Sequence, residues 1–272
     1  MPVFQHRSIT DFPIGGMALR QHHASLLAQR GITAHPHAWL ALQDLQLLED
    51  GPADTLADSA GTPLAWRAPA PSSLSLPAVA SFIIVHPWDL LRANEECLSH
   101  LAGSNIAGDL HASVVVEGNL VLGPGSRILP GVFIEGNVVI GANCKIGPNC
   151  YIRGATAIGE RCHVGQSVEI KNSILLAATH VGHLSYVGDS VLGAGVNFGA
   201  GTMTSNLRHD GANHRAMANG QLVDTGRRKF GCIVGDGVHT GINTSIYPGR
   251  QLAPGSSTLP GEIVRADLSH LS

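Results

Sequence analysis

Arg153 and Lys171 stand eighteen residues apart, and His183 follows a short distance beyond them. A guanidinium and an ammonium held together suit a phosphate or a carboxylate. An imidazole titrates near neutrality, so it can take a proton from an ammonium or a hydroxyl. The string Gly199-Ala200-Gly201-Thr202 reads as a turn, and exposed backbone amides at a turn can steady a carbonyl or a developing oxyanion. Arg227, Arg228 and Lys229 form a dense basic run that can grip a phosphorylated cofactor or merely line the base of a loop. Around these groups lie VEIKNS at 168–173, THVGHLSYVGD at 179–189 and NFGAGTMTSN at 197–206. Together those segments hold Lys171, Asn172, His180, His183, Tyr186, Asn197 and Asn206. Two solvated surface cations remain an open alternative for Arg153 and Lys171.

The spacing has meaning because of the elements that carry it. One aliphatic residue recurs every six positions through Leu110, Val116, Leu122, Ile128, Ile134, Ile140, Ile146, Ile152, Ile158, Val164 and Ile170. So short a period fits neither a helix pair nor a strand-helix unit. It predicts a mainly β chain built as a left-handed parallel β-helix, with three short strands per coil and one inward aliphatic per strand. One coil is then about eighteen residues, which puts Arg153 and Lys171 on the same side of neighbouring coils. The inward series continues through Leu175, Val181, Val187, Leu192 and Phe198, with five-residue steps at 170–175 and 187–192. A shortened side moves a corner and re-aims its neighbours, so the polar residues near these steps are the first to inspect.

Composition agrees with this architecture. Charged residues make up 14% of the 272-residue chain, and 33 residues are glycine. The formal charge of −3 favours neither nucleic acid nor an acidic membrane. The longest apolar run, near 78–85, is too short to span a bilayer. Cys97, Cys144, Cys150, Cys162 and Cys232 are odd in number and contain no CxxC. Three of them share the repeat register, as reduced packing cysteines in a cytoplasmic protein would.

Residues 1–80 form a small N-terminal α/β region, with a helix within Gly16–Arg30, a helix or strand pair at 38–50, and a Pro/Ser/Ala linker at 68–77. Residues 81–103 lead into the coil through a short strand and a helix at about 89–102, with Asp89 as its N-cap. The β-helix is expected over 104–262, interrupted by a loop at 203–229 and followed by a polar tail at 263–272. A loop of that length on a solenoid is as a rule either functional or disordered.

The segment VEIKNSILLAATHVGHLSYVGDSVLGAGVNFGAGTMTSNLRHDG resembles the acetyltransferase half of the bifunctional hexosamine-1-phosphate acetyltransferase and sugar-1-phosphate nucleotidylyltransferase family. TGRRKFG at 225–231 and GDGVHTGINTSIYPG at 235–249 look most like its archaeal-type branch. The resemblance covers about 87–262. It implies acetyl transfer from acetyl-CoA to the amine of an amino-sugar phosphate, glucosamine-1-phosphate or galactosamine-1-phosphate, with no metal required. By motif, His183 would be the base and Asn206 would orient it or contact the substrate. Arg153, Lys171, Tyr186 and Asn197 would hold the sugar and its phosphate. His214 stands where many relatives place a lysine. Ala200, Thr240 and the run Arg227, Arg228, Lys229 would receive acetyl-CoA. The family works as a homotrimer with sites between subunits. It also carries a large N-terminal nucleotidyltransferase domain, of which residues 1–80 look like a vestige.

Two other readings compete. A trimeric scaffold or regulator that has lost catalysis would account for the short N-terminal region. A γ-type carbonic anhydrase shares the prism and would use His163, His180 and His183 on a metal, but it leaves EIKNS and the basic loop without a role.

Overall fold

The computed structural model describes residues 7–67 and 69–269. They divide into two compact units, Arg7–Val85 and the segment from His86 onward.

In the first unit, α1 (Leu19–Leu27) and α2 (Leu42–Asp50) accompany a four-stranded sheet of Ile32–Ala34, Pro63–Arg67, Thr55–Ala57 and Ser75–Pro77. Leu45, Leu48, Leu56 and Leu64 fill its core. The Pro/Ser/Ala stretch expected as a linker contains the last of these strands, paired in parallel with Thr55–Ala57. Proline is tolerated there because the strand lies on the sheet edge. Asp44 is fully buried, and its carboxylate accepts from the amides of Val79, Ala80 and Ser81, which ties α2 to the segment after that strand.

The second unit opens with α3 (Asp89–Ser99). Trp88, not Asp89, occupies the N-cap position. Asp89 sits inside the first turn, and its carboxylate accepts from the amide of His86 at 2.7 Å. Beyond α3 the chain winds into a left-handed parallel β-solenoid with three faces. Face I stacks Asp109–Leu110, Arg127–Ile128, Lys145–Ile146, His163–Gln166, His180–His183 and Asn197–Phe198. Face II carries Tyr151–Arg153, Glu169–Lys171, Tyr186–Gly188, Met203–Thr204, Ser245–Ile246 and Ile263–Val264. Face III carries Thr156–Ile158, Ile174–Leu175, Val191–Leu192, Cys232–Val234 and Arg250–Leu252.

The inward aliphatics form one continuous core from Leu122 to Val264. Each such side chain removed from water contributes about 1.5–3 kcal/mol, set against the conformational entropy lost in ordering the coil. Leu110, first in the six-residue series, is exposed because it lies in the terminal coil. Thr240 is an inward position too. Its hydroxyl lies 2.8 Å from that of Thr202, and both are buried. The five described cysteines are free thiols, and Cys144, Cys150 and Cys162 point their sulfurs at backbone carbonyls inside the coil.

Two expected boundaries move. Met203–Thr204 still pairs with Tyr186 below and Ser245 above, so the chain leaves the coil at 205 rather than 203. It returns at Gly231, whose amide donates to the carbonyl of Asp189 at 2.9 Å. The excursion contains a hairpin, Arg215–Ala218 with Gln221–Asp224, closed by Asn219 and Gly220 at φ 49° and 78°. Two successive positive φ values are what a tight type I′ turn demands. The coil also continues past 262. Ile263–Val264 pairs with Ser245–Ile246, and Leu268 bridges to Leu252, so the polar segment expected as a tail completes a further turn. No helix among the described residues is long and apolar enough to cross a membrane.

Candidate active site

The two five-residue steps stack on each other, at the corner between faces II and III. Ile170 pairs with Val187 and Leu175 with Leu192, so both inner coils are one residue short there. The corner residues Asn172 and Asp189 take left-handed conformations, φ 48° and 49°. That geometry suits Asn and Asp better than branched side chains. It also turns the Asp189 carboxylate inward against face II, where it is 2% exposed. Asp189 Oδ2 accepts from Lys171 Nζ at 2.6 Å and from Asn206 Nδ2 at 2.6 Å, and Oδ1 accepts from Asn172 Nδ2 at 3.0 Å. Three donors converge on one buried carboxylate, which is how a buried charge is made tolerable.

Arg153 and Lys171 are register partners on face II. Each has its own carboxylate: Arg153 Nε donates to Glu169 Oε1 at 2.8 Å, and Lys171 is held by Asp189. Burial works against the charge on Arg153, but its bond to Glu169, the charge of that carboxylate and the phenols of Tyr151 and Tyr186 together outweigh this and raise its pKa. The two cations therefore form paired rows rather than a bare cationic patch. Glu169 and Asp189 were not among the residues singled out by spacing.

The next register partner of Lys171 is Gly188. The phenol of Tyr186 lies over it. A Cβ built on Gly188 would sit 2.4 Å from the Tyr186 hydroxyl and 2.8 Å from Asn206 Nδ2. The missing side chain is what lets Tyr186 lie flat and receive a hydrogen bond from Asn206 Nδ2 at 2.9 Å. Burial, then the charges of Asp189 and Glu169, raise the pKa of the Tyr186 phenol.

His183 ends its face I strand at the corner leading to face II, and it is exposed. Its carbonyl accepts from the amide of Gly201 at 3.1 Å, so the Gly199–Thr202 turn sits one coil beyond it. Gly199, Gly201 and Thr202 direct their amides into the coil, to Thr240, His183 and Gly199 respectively. Ala200 alone of the four has no amide partner among the described residues. No hydrogen bond joins Asn206 to His183 among the described residues. The amide nitrogen of Asn206 is instead engaged by Tyr186 and Asp189.

Asn197 lies apart from Tyr186, on face I, paired with His180 below and His239 above. That face carries Arg127, Lys145, His163, His180 and His239 in one column. Burial, helped by the charges of Lys145, His180 and His183, lowers the pKa of His163. Among the described residues no three His, Cys, Asp or Glu side chains assemble a metal site.

The loop residues are placed differently from expectation. His214 is 2% exposed and lies 3.1 Å from the carbonyl of Asn206, with its ring edge-on to Phe230. Burial lowers its pKa, and the bond to Asn206 opposes that only in part. It supports the inside of the loop instead of presenting itself to a substrate. Arg227 reaches α3, where Nη2 donates to Glu95 Oε1 at 2.5 Å and Nη1 to Oε2 at 3.2 Å. Glu95 also accepts from Asn172 Nδ2 at 2.6 Å. A single chain of bonds thus runs from the loop through α3 to Asp189. Arg228 and Lys229 remain exposed at the loop base. Thr240, buried in the coil, can offer only its neighbourhood to a cofactor.

A family described as the GMPPB C-terminal domain matches residues 134–253. A bifunctional sugar-1-phosphate nucleotidylyltransferase/acetyltransferase of Sulfurisphaera tokodaii is 38% identical over 68% of this chain and 46% of its own length. The bifunctional protein GlmU of Methanococcus maripaludis is 52% identical over 65% of this chain and 42% of its own length. The chain is homologous to the GlmU-type bifunctional family. The homology with the GlmU-type hexosamine-1-phosphate acetyltransferase/nucleotidyltransferases lies largely over their C-terminal acetyltransferase domain. The chain spans less than half the length of these two GlmU-type relatives. A hexapeptide transferase family protein from Anaplasma phagocytophilum aligns at 15% identity over 58% of this chain and 69% of its own, with a TM-score of 0.22. At that score the likeness adds nothing to the strand register.

Proposed function

We propose that the protein is an N-acetyltransferase moving acetyl from acetyl-CoA to the amine of an amino-sugar phosphate, glucosamine-1-phosphate or galactosamine-1-phosphate. Its GlmU-type relatives support the reading, since one carries acetyltransferase in its name. The observation that carries it is one corner of the coil. There an exposed imidazole, His183, stands one coil from the open amide of Ala200, beside a face bearing Tyr186, Asn206 and Lys171.

The chemistry follows from those groups. An ammonium has no lone pair with which to attack a thioester. His183 takes its proton, and the free amine attacks the acetyl carbon. Negative charge gathers on the carbonyl oxygen, where the Ala200 amide supplies a fixed donor. The C–S bond breaks and CoA leaves as the thiolate. Tyr186 and Asn206 hold the sugar. Arg153 and Lys171 meet the phosphate while remaining in contact with Glu169 and Asp189, which keeps them in place before the substrate arrives.

The working unit in this proposal is a homotrimer with sites between subunits. Charge supports such packing. Face I presents Arg127 and Lys145, and face II presents Glu117 and Glu135 at neighbouring levels. A ring in which face I of one copy meets face II of the next would bring these together.

The test is thiol release from acetyl-CoA with glucosamine-1-phosphate, galactosamine-1-phosphate and unphosphorylated glucosamine. Release with a phosphorylated acceptor supports the reading. Absence of release with all three leaves two readings, another acceptor or a scaffold that has lost catalysis.

A further inference from the structure

Where the inserted loop leaves the coil, an open cleft of about 530 Å³ lies between Ser205, Leu207, Arg208, His209 and Asp210 on one side and Tyr247 and Pro248 on the other. Its size falls within the roughly 300–1,000 Å³ of small-molecule sites. Ser205 donates its amide to the carbonyl of Ile246 at 2.9 Å, so Tyr247 stands one coil beyond it. Asn206, bonded to Tyr186, is the next residue in the chain. The cleft therefore begins where the wall of Tyr186 and Asn206 ends, at the edge of face II opposite the His183 corner.

Its lining is unusual for this coil. Tyr247 is 47% exposed and Leu207 45%, which makes an apolar, partly aromatic floor in a chain that is 4% aromatic. A guanidinium stands at the rim. Arg208 is bonded to Asp210 through Nε at 2.9 Å and Nη2 at 2.5 Å, and both side chains are solvent-exposed. Exposed pairs of this kind hold weakly, so an entering phosphate can take over the guanidinium. The buried Lys171–Asp189 pair yields no such opening. Arg228 Nη2 lies 3.7 Å from the Cβ position of Gly211, which places a second guanidinium near the same turn. An aromatic residue in the lining with a guanidinium beside it matches a flat base carrying a phosphate.

We infer that this cleft binds a nucleotide, with the base against Tyr247 and a phosphate at Arg208. Two molecules could bring that group. One is an acceptor in which the amino sugar is linked to a nucleoside diphosphate. Its amine would lie at His183, its first phosphate near Asn206, and its nucleoside beyond. The other is the adenosine bisphosphate end of the acyl donor. The cleft's placement beside an acceptor rests on the transferase reading; nucleotide binding itself does not.

Calorimetric titration of the full chain with uridine 5′-diphosphate, adenosine 3′,5′-bisphosphate and inorganic pyrophosphate tests the inference. At least one nucleotide should bind at least about tenfold more tightly than pyrophosphate, since stacking of one base is worth roughly that factor or more. Tyr247→Ala and Arg208→Ala should each weaken that nucleotide about tenfold, and Tyr247→Phe should retain its affinity. Dependence of the uridine nucleotide on Tyr247 assigns the cleft to the acceptor, and dependence of the adenosine nucleotide assigns it to the donor. Nucleotide binding no tighter than that of pyrophosphate, or unaltered in Tyr247→Ala, overturns the inference. Tyr247-dependent binding by a chain that releases no thiol from acetyl-CoA, with the sugar phosphates or with a nucleoside-diphosphate-linked amino sugar, would keep the cleft and sink the transferase. Turnover without any effect of Tyr247→Ala on binding would do the reverse.

Discussion

Lys171 Nζ lies 2.6 Å from Asp189 Oδ2, and the carboxylate that receives it is almost fully buried. Removing one partner of such a pair strands the other charge. Asp189→Ala also leaves Asn172 and Asn206 without their common acceptor. It should cost about 3–5 kcal/mol in urea unfolding. Asp189→Asn keeps an acceptor oxygen and should cost less. A loss under about 1 kcal/mol for the alanine variant would show that Asp189 does not organise this corner.

Gly188→Ala should separate site geometry from stability. The added methyl meets the far ends of the Tyr186 and Asn206 side chains, not backbone, so the coil can absorb it while the phenol is displaced. The acceptor KM should rise about tenfold, the effect of losing roughly 1.4 kcal/mol of binding, with the melting temperature within a few degrees of the parent. An unchanged KM would remove Tyr186 from the acceptor site.

Much of this arrangement is legible in the sequence, and the reason is local. Each six-residue step places one aliphatic inside the coil, so Leu122, Ile140 and Ile158 announce their stacking without knowledge of the rest. Face II follows from the same count, including the register of Arg153 with Lys171. Asp189 is different. It lies in a Gly-Asp-Ser string that reads as a turn, and its partners come from two neighbouring coils and depend on two shortened corners. Arg227 meets Glu95 across 132 positions, which no spacing rule covers. The motif that offers Asn206 to His183 or to the substrate does not announce its bonds to Tyr186 and Asp189, which depend on how the chain turns the corner. Ser75–Pro77 is hidden by a proline that only an edge strand accepts.

Arg227→Ala tests whether that arginine anchors the loop or holds the donor. The anchoring role predicts faster amide exchange across residues 207–229, because the bidentate bond to Glu95 is lost. The Kd for CoA should change less than about threefold, under roughly 0.7 kcal/mol. A large loss of CoA affinity with unaltered exchange would restore the phosphate role.

The loop should also weaken in acid. His214 is buried with its pKa below the ordinary 6.5, so the unfolded chain binds its proton more readily than the folded one. Stability from this site is complete above 6.5 and declines as pH falls through the lowered folded value. Urea unfolding at pH 7.5 and 5.5 should show that decline, and His214→Gln should reduce its size. An equal decline in both proteins would assign it to other groups, such as His23 or His163, whose pKa values burial also lowers.

The most direct test of the account is the turnover of His183→Ala, followed as thiol release from acetyl-CoA with a saturating phosphorylated amino sugar. His183 is exposed, so its loss should leave the fold and its melting curve intact. With His183 as the base, kcat should fall by about 10²–10⁴, the range expected for removing a general base. Turnover equal to that of the parent would contradict the account, whatever the acceptor.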